Sequence, residues 1–370
     1  MKKSFVLIIM IACIVITLVP MTGAVAAEGL TVRDNGTVID FPMGVMFSVD
    51  AESSSDIIDI RLHYMIDRER FARVVNEIKL PFTSDDTVTA EWYWDMRMTG
   101  GLPMGTNVDY WWTVTDESGT IAESLPVTLI LEDTRYDWRS IEDGMVTLNW
   151  YHGDEAFAGE LMDATQGSLD RLADTAGAEL EKPVDLYIYK NSSDLRGALL
   201  YAQEWTGGVA FTQFGVVAIG IGTSQSEMAW GTRTIAHELT HLVTAQVVAN
   251  PFGGMPTWLN EGLSMYAEGD LEASFENVFE SALDTDTLIS IRSLSSPFST
   301  DNMKAYLSYA ESYHIVTYLI GTYGRDDMLR LLDTIADGTG YDEALLEVYG
   351  FNMDGLNAEW TAYEEGAAVL

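Results

Sequence analysis

Cysteine, basic residues and histidine are all scarce in this chain of 370 residues, which has one cysteine, 20 lysines and arginines, and five histidines. The one cysteine, Cys13, lies in the apolar stretch near the N-terminus. If that stretch is a removed leader, disulfides, cysteine nucleophiles and cysteine metal ligands are excluded. The 57 acidic residues give a net charge of −37, which repels nucleic acid and anionic membranes. We therefore expect no nucleic-acid partner.

The N-terminus has the pattern of a secretory leader. Lys2 and Lys3 precede the apolar run "FVLIIMIACIVITLV", and "GAVAAEG" then supplies small residues. We predict a signal peptide over residues 1–27, cleaved before Glu28, and a secreted or cell-surface protein. The run is shorter than the roughly 20 residues of a membrane span, although an uncleaved anchor stays an alternative. No later run is long and apolar enough to cross a bilayer.

Two catalytic signatures are missing. The chain has no G-x-S-x-G elbow, which argues against a serine hydrolase of that type. The segment "GIGTSQ" lacks the last glycine of a dinucleotide-binding loop and has no phosphate-binding lysine.

The first half of the chain alternates polar and apolar residues with period two. Seven strand-like runs between residues 38 and 133 are separated by turn signals such as "RDNGT" and "DESGT". This spacing predicts an antiparallel β-sandwich over residues 28–133, of the immunoglobulin or fibronectin type. His63 lies alone in one of these runs, so we interpret it as structural.

The second half, residues 138–370, mixes strands and helices. We predict strands at "MVTLNWYH", "VDLYIYK" and "GVVAIGIG", helices over 155–177 and 193–205, and almost continuous helix after residue 228. The predicted fold class is therefore α+β, with a small sheet lobe and a helical lobe following the sandwich.

The segment "TIAHELTHLV" carries two of the five histidines, His237 and His241, with Glu238 directly after the first. Ile235 and Leu239 recur at helical spacing, and "ANPFGGMP" supplies a stop, so a helix is predicted over 232–249. Two imidazoles one turn apart on one face can reach a single ion. Glu238 is rotated by about 100° from His237, so it can face a water at the ion. A helix that merely carries two histidines is the alternative.

A third ligand is expected from a second helix. "PTWLNEGLSMYAEG" begins at Pro256 and places Glu261 where an antiparallel helix returns toward His241. Zinc with three protein ligands keeps a fourth position open for water. The residues therefore predict one zinc ion at His237, His241 and Glu261. Calcium binding stays open, since no ligand loop stands out among the many acids.

"HELTH" followed by "WLNEGLSMY" resembles the gluzincins, the thermolysin and aminopeptidase N branch of zinc metallopeptidases, and most closely the peptidase MA-like proteins. The resemblance covers roughly residues 138–370. It implies a zincin-type catalytic domain with His237, His241 and Glu261 as ligands and Glu238 as general base. Asn260 and Gly262 match the family's "NEG", and Glu268 matches an acidic position that would support a ligand histidine.

The resemblance also implies a donor for the oxyanion. Laid on the family's "Y-E-K-G" segment, "YAES" places Tyr309 on the catalytic tyrosine, although its acidic and glycine positions depart from that pattern. Tyr306 is the second choice, and a packed core tyrosine is the alternative.

We predict an enzyme that hydrolyses peptide bonds in peptides or proteins. "TGGVAFTQFG" departs from the "GAMEN" segment with which aminopeptidase relatives hold a free amino terminus, so an endopeptidase fits better. Two alternatives stay open. One is a catalytically idle binding or scaffold protein that uses the sandwich, and the other is a zinc hydrolase of a non-peptide amide or ester.

Overall fold

The computed structural model describes residues 25–27, 29–68, 72–202 and 206–367. Most of the predicted leader lies outside these residues, but its last three, Val25–Ala27, pair as a strand with Leu30–Val32. Among the described residues, no helix is both long enough and apolar enough to cross a bilayer.

Two antiparallel sheets form the N-terminal half, which we call the sandwich (residues 25–131). The strands of the first sheet, in spatial order, are β1 (Val25–Ala27), β2 (Leu30–Asp40), β3 (Gly44–Glu52) and β6 (Thr87–Asp95). Those of the second are β5 (Asn76–Lys79), β4 (Ile57–Ile66), β7 (Asn107–Asp116) and β8 (Ile121–Glu123), with β9 (Val127–Ile130) also on β7.

Alternate residues of facing strands build the core between these sheets. Phe47 of β3 and Tyr110 of β7 are both buried, and their rings meet edge to face at 5.0 Å. Burying apolar area in this way contributes about 25 cal/mol per Å². The predicted sandwich is confirmed, and β1, β8 and the first part of β2 lie beyond the seven predicted runs.

The turn predicted at "RDNGT" is wrong, because β2 continues through it. Asp34 is buried there and accepts hydrogen bonds from the Tyr110 hydroxyl (2.8 Å) and the Trp112 indole N–H (3.0 Å). The register against β3 shifts between Asp34 and Thr37, where Gly36 adopts a positive φ of 82°. A bulge therefore absorbs the turn-favouring residues without ending the strand.

The C-terminal lobe (residues 138–367) begins with a mixed five-stranded sheet. Its strands, in spatial order, are β10 (Arg139–Asp143), β11 (Val146–Trp150), β12 (Val184–Tyr189), β14 (Val216–Gly220) and β13 (Gly208–Phe211). The three inner strands run parallel, and β10 and β13 pair antiparallel at the two edges.

Ten helices complete this lobe in the described residues. They are α1 (Glu155–Ala176), α2 (Ser192–Arg196), α3 (Gln225–Val247), α4 (Thr257–Glu268), α5 (Ala273–Asp284), α6 (Ile291–Leu294), α7 (Asn302–Tyr323), α8 (Arg325–Ala336), α9 (Tyr341–Tyr349) and α10 (Met353–Ala367). Together with the sheet they confirm the predicted α+β class.

One predicted helix, 193–205, is much shorter than expected, since α2 ends at Arg196. The Gly197 carbonyl, which a longer helix would use, accepts a hydrogen bond from Arg135 at 2.8 Å. Tyr201 has a φ of 62°, which a right-handed helix excludes. Residues 203–205 of that prediction lie outside the described residues.

Asp133 anchors the segment between the sandwich and the C-terminal lobe. This carboxylate is fully buried and pairs with Arg135 at 2.6 Å. Its Oδ2 also accepts from the Tyr189 hydroxyl (3.4 Å), while its carbonyl accepts from the Trp138 indole N–H (2.9 Å). Because Arg135 also binds Gly197, one polar network holds the segment that follows the sandwich against the C-terminal lobe.

Helix α3 is the central element of the lobe. It begins seven residues before the predicted start, at a capping box in which Ser224 and Glu227 satisfy each other's backbone N–H groups. Ile235 and Leu239 pack on the sheet, and Val243 packs on the helical core. With two sides buried in this way, the remaining face of α3 is held in a fixed orientation at the edge strand β13.

Candidate metal centre

The third face of α3 presents His237 and His241. Their rings lie 4.9 Å apart, centroid to centroid, and both side chains are partly buried. Helical spacing puts the two imidazoles one above the other, so both Nε2 atoms can point at one position.

Glu261 reaches the same position from α4. Its Oε2 lies 3.5 Å from His237 Nε2 and 3.7 Å from His241 Nε2. One ligand atom from each of these three residues lies within 4.8 Å of the others, the arrangement required to hold a metal ion. The structure thus brings together the three residues that the sequence proposed as ligands.

The surroundings of Glu261 fit a cation. Its Oε2 is buried and finds no hydrogen-bond partner within the described residues. Burial opposes ionisation, but the two histidines outweigh it and lower the pKa of Glu261 below its usual value. A tetrahedral zinc site with bonds of about 2.0–2.1 Å sets its ligand atoms roughly 3.3 Å apart. The observed separations are close to that value, and too long for good hydrogen bonds.

Each histidine is held from behind through its Nδ1. His237 Nδ1 lies 2.8 Å from Glu268 Oε1, and His241 Nδ1 lies 3.2 Å from the Ser264 hydroxyl. The sequence had indicated Glu268, whereas Ser264 was missed. Its position three residues after Glu261, on the same face of α4, was the available signal.

A cluster of carboxylates also acts on His237 itself. Burial disfavours its charged form, yet Glu261 and Glu268 beside the ring raise its pKa to about 10. A cation that binds at Nε2 must displace the proton from that atom.

Glu238 lies next to the edge strand β13. The backbone N–H of Ala210 favours the ionised form of the Glu238 carboxyl group. A Cβ on Gly208 would lie 3.0 Å from Glu238 Oε1, so glycine allows the strand to approach this close. Burial raises the pKa of Glu238, while His237 and His241 partly offset the effect. A carboxyl group with a raised pKa suits proton transfer near neutral pH.

Tyr309 of α7 lies near this group, with its ring 6.5 Å from that of His237. Burial, and then the charges of Glu261, Glu238 and Glu268, raise its pKa, so the hydroxyl keeps its proton and can donate. Tyr306, the second choice, is 42% exposed and stacks on Phe275 at 4.6 Å. The geometry therefore favours Tyr309.

The "NEG" segment positions α4 between its neighbours. A Cβ on Gly262 would lie 2.4 Å from the Ser312 carbonyl oxygen, so only glycine permits α4 and α7 to pack this closely. Asn260 accepts from the Thr244 hydroxyl at 3.3 Å, which links α4 to α3. These two contacts fix the helix that carries Glu261.

The other histidines have different surroundings. His63 stacks on Trp111 at 5.2 Å and bonds Thr113 in the sandwich. His314 stacks on Phe279 at 3.8 Å. His152 lies at the end of β11. In the described part of the chain, none of the three belongs to the metal-binding group.

A family model described as "Peptidase MA superfamily" matches residues 164–366, which is more than half of the chain. The match confirms the resemblance seen in the motifs. No curated protein matches the chain.

The solved structures that are similar to this chain include two peptidases. The first is a mutant of an M1 zinc metallopeptidase from Deinococcus radiodurans, with 11% identity, coverage of 90% of each chain and a TM-score of 0.36. The second is Legionella pneumophila aminopeptidase A in complex with aspartic acid, with 10% identity, coverage of 89% of this chain and 50% of that one, and a TM-score of 0.38.

Proposed function

The chain belongs to the peptidase MA superfamily, and we propose that it is a zinc-dependent endopeptidase with Glu238 as its general base. The observation that carries the proposal is the convergence of His237, His241 and Glu261 on one position beside Glu238. A buried anionic oxygen without a hydrogen-bond partner at that position supports a cation as the natural occupant.

Zinc is the ion that two imidazoles and a carboxylate suit best. When bound, it would supply a Lewis acid that polarises a carbonyl group and makes water more acidic. Glu268 and Ser264 would hold the two histidines in the required orientation.

Glu238 would move the proton. With its raised pKa, its carboxylate can accept a proton from the attacking water and then deliver it to the leaving amine. Tyr309 keeps its proton, so its hydroxyl can donate a hydrogen bond to the oxygen of the scissile carbonyl as charge develops there.

The edge strand β13 would hold the substrate backbone. In the part of the chain that the structure describes, β13 is paired on one side only, with β14. An extended peptide can add to its free side and so lie across Glu238. Residues 206–215 contain no acidic side chain that would bind a free amino terminus. This supports cleavage within a peptide rather than at its end.

The test is cleavage of a mixed peptide library by the full chain and by Glu238→Gln, with bound zinc measured on both. We expect about one zinc per chain in each, and a loss of activity of about 10²–10⁴-fold in the variant. Glu160→Gln, an exposed glutamate on α1, is the matched control and should behave as the parent.

Three results would contradict parts of the proposal. If the parent binds no zinc, the proposed metal site is wrong. If Glu238→Gln cleaves at the parent's rate, Glu238 is not the general base. If products show trimming from the amino terminus, the enzyme is an aminopeptidase rather than an endopeptidase.

We also propose that the protein acts outside the cytoplasm. The leader-like pattern of residues 1–27 supports this, and cell fractionation followed by N-terminal sequencing tests it. A chain recovered only in the cytoplasm, still starting at Met1, would contradict it.

A further inference from the structure

We propose that Arg233 is a positioning residue for the metal centre, acting on His237 through Glu268. The inference rests on the proposed function, because it concerns how the same group of ligands is held. Arg233 and His237 are four residues apart on α3, so they lie on one face of the helix.

Glu268 divides its two oxygens between these residues. Oε1 lies 2.8 Å from His237 Nδ1, and Oε2 accepts from Arg233 Nη2 at 3.1 Å. Because the carboxylate accepts at Oε1, Nδ1 is the nitrogen that carries the proton, which leaves the lone pair of Nε2 directed at the metal position. Arg233 thereby fixes the carboxylate that fixes the imidazole.

The same guanidinium also holds the end of α4. Nη1 and Nη2 donate to the Asp270 carbonyl, two residues past the helix, at 3.2 and 3.3 Å. Its Nε lies 3.7 Å from Glu272 Oε1. Since α4 carries Glu261, one side chain links the helix of the two histidines to the helix of the third ligand.

The two histidines are therefore supported unequally. His241 is backed by a neutral hydroxyl, Ser264, at 3.2 Å. His237 is backed by a carboxylate that itself forms an ion pair, and charge-assisted hydrogen bonds are roughly twice as strong as neutral ones. Substituting Arg233 should therefore change the orientation of His237 more than substituting a surface arginine would.

The lobe offers a matched control in Arg330. It pairs with Asp327 at 3.2 Å and donates to the Val348 carbonyl at the end of α9 at 2.6 Å. Arg330 thus binds a carboxylate and a carbonyl near a helix end, as Arg233 does, but far along the chain from the metal ligands.

The experiment measures zinc affinity by competition with a chelator for the full chain, Arg233→Met, Glu268→Ala and Arg330→Met. We expect Arg233→Met to bind zinc several-fold more weakly, by less than the roughly 10- to 100-fold expected for Glu268→Ala. Adding Arg233→Met to Glu268→Ala should weaken zinc binding less than the same substitution does in the parent, because the part of its effect that acts through Glu268 is already lost. The visible spectrum of the cobalt-loaded Arg233→Met should also differ from the parent's, while that of Arg330→Met should not.

Equal zinc affinity in Arg233→Met and the parent would overturn the inference, and so would fully independent effects of the two substitutions. If Arg233→Met does not fold, Arg233→Lys carries the test, since lysine cannot bond the Glu268 carboxylate and the Asp270 carbonyl in one fork. Weaker zinc binding by Arg233→Lys than by the parent supports the inference, and equal binding overturns it. A parent that binds no zinc would instead overturn the proposed function.

Discussion

Two carboxylates, one in each half of the molecule, have buried oxygens with opposite surroundings. In the sandwich, each oxygen of Asp34 accepts a hydrogen bond, one from Tyr110 and one from Trp112. In the C-terminal lobe, Glu261 Oε2 has no hydrogen-bond partner among the described residues and faces two imidazole nitrogens at 3.5 and 3.7 Å. Burying a charge is costly unless its bonds are made. A carboxylate that is satisfied within the fold serves stability, whereas one that is left open is suited to bind a ligand.

The largest expected effect comes from Glu261→Gln, which removes the open charge and keeps the side-chain volume. Zinc affinity should fall by more than the roughly 10- to 100-fold that follows loss of an outer contact, and peptidase activity should fall with it. Metal content and library cleavage measure both. In zinc-free buffer its unfolding free energy should change less than that of Asp34→Asn. If Glu261→Gln keeps both zinc and activity, Glu261 is not a metal ligand and the proposed difference from Asp34 is wrong.

Gly262→Ala should disturb the same site through the backbone. The added methyl would meet the Ser312 carbonyl at 2.4 Å, so α4 must move away from α7 at a cost of about 1–3 kcal/mol. Because Glu261 precedes this glycine, zinc affinity should fall as well. Denaturant unfolding and zinc competition are the measurements.

The control for that substitution is Gly159→Ala on α1, where an added Cβ meets nothing within 4 Å. There we expect a gain of up to about 1 kcal/mol from helix propensity. Similar stabilities for the two variants would show that the contact at Gly262 is not restrictive.

Asp34→Asn tests the carboxylate whose two oxygens both accept hydrogen bonds within the fold. An amide can accept from one of the two donors but must point its NH₂ at the other, which should cost about 1–3 kcal/mol. Activity per folded molecule and zinc affinity should stay unchanged. Asp50→Asn is the control, since its bond to Thr89 lies at the surface, and it should change stability by less than about 0.5 kcal/mol. A loss of activity in folded Asp34→Asn would contradict the idea that Asp34 serves stability and not the metal site.

Glu311 is a third case, in which a buried carboxyl group changes how stability depends on pH. Its carboxyl group is fully buried on α7, and both oxygens lie near the Ile289 backbone N–H, at 2.9 and 3.1 Å. Burial raises its pKa to about 8, against 4.5 in the unfolded chain. Between those values the folded state binds the proton more tightly, so this group's contribution to stability declines as the pH rises from about 4.5 to about 8.

Glu311→Gln should therefore weaken the decline of stability between pH 5 and pH 8, leaving the variant relatively more stable than the parent at pH 8. Each unit of pKa shift corresponds to about 1.4 kcal/mol. Unfolding by denaturant at both pH values measures it, and parallel curves for the two proteins would contradict the prediction.

The comparison also shows where sequence reasoning succeeds. The histidines one turn apart could be predicted because helical spacing fixes their relative positions. Glu261 could be predicted because a following antiparallel helix returns toward His241, and because "NEG" matches the family's motif. The sandwich could be predicted because alternation with period two reports one-sided burial. In both cases the information is local.

The missed features depend on distant residues. Arg233 lies next to Glu268 only because α3 and α4 pack side by side, and the sequence alone gives an arginine one turn before a histidine. Helix 193–205 was predicted too long because Arg135, far along the chain, binds the Gly197 carbonyl. The turn at "RDNGT" was predicted because nothing local indicates that Asp34 bonds two rings of another sheet.

The network at Asp133 has a practical consequence for protein engineering. The boundary between residues 133 and 138 in the sequence suggests truncating the chain there, in order to fuse the C-terminal lobe to another protein. A truncation there deletes Asp133, so the Tyr189 hydroxyl loses its hydrogen bond to that carboxylate. If Arg135 is deleted as well, the Gly197 carbonyl loses its hydrogen bond too. A chimaera that begins at Leu131 retains both residues, so it is the version that we expect to express as a folded protein.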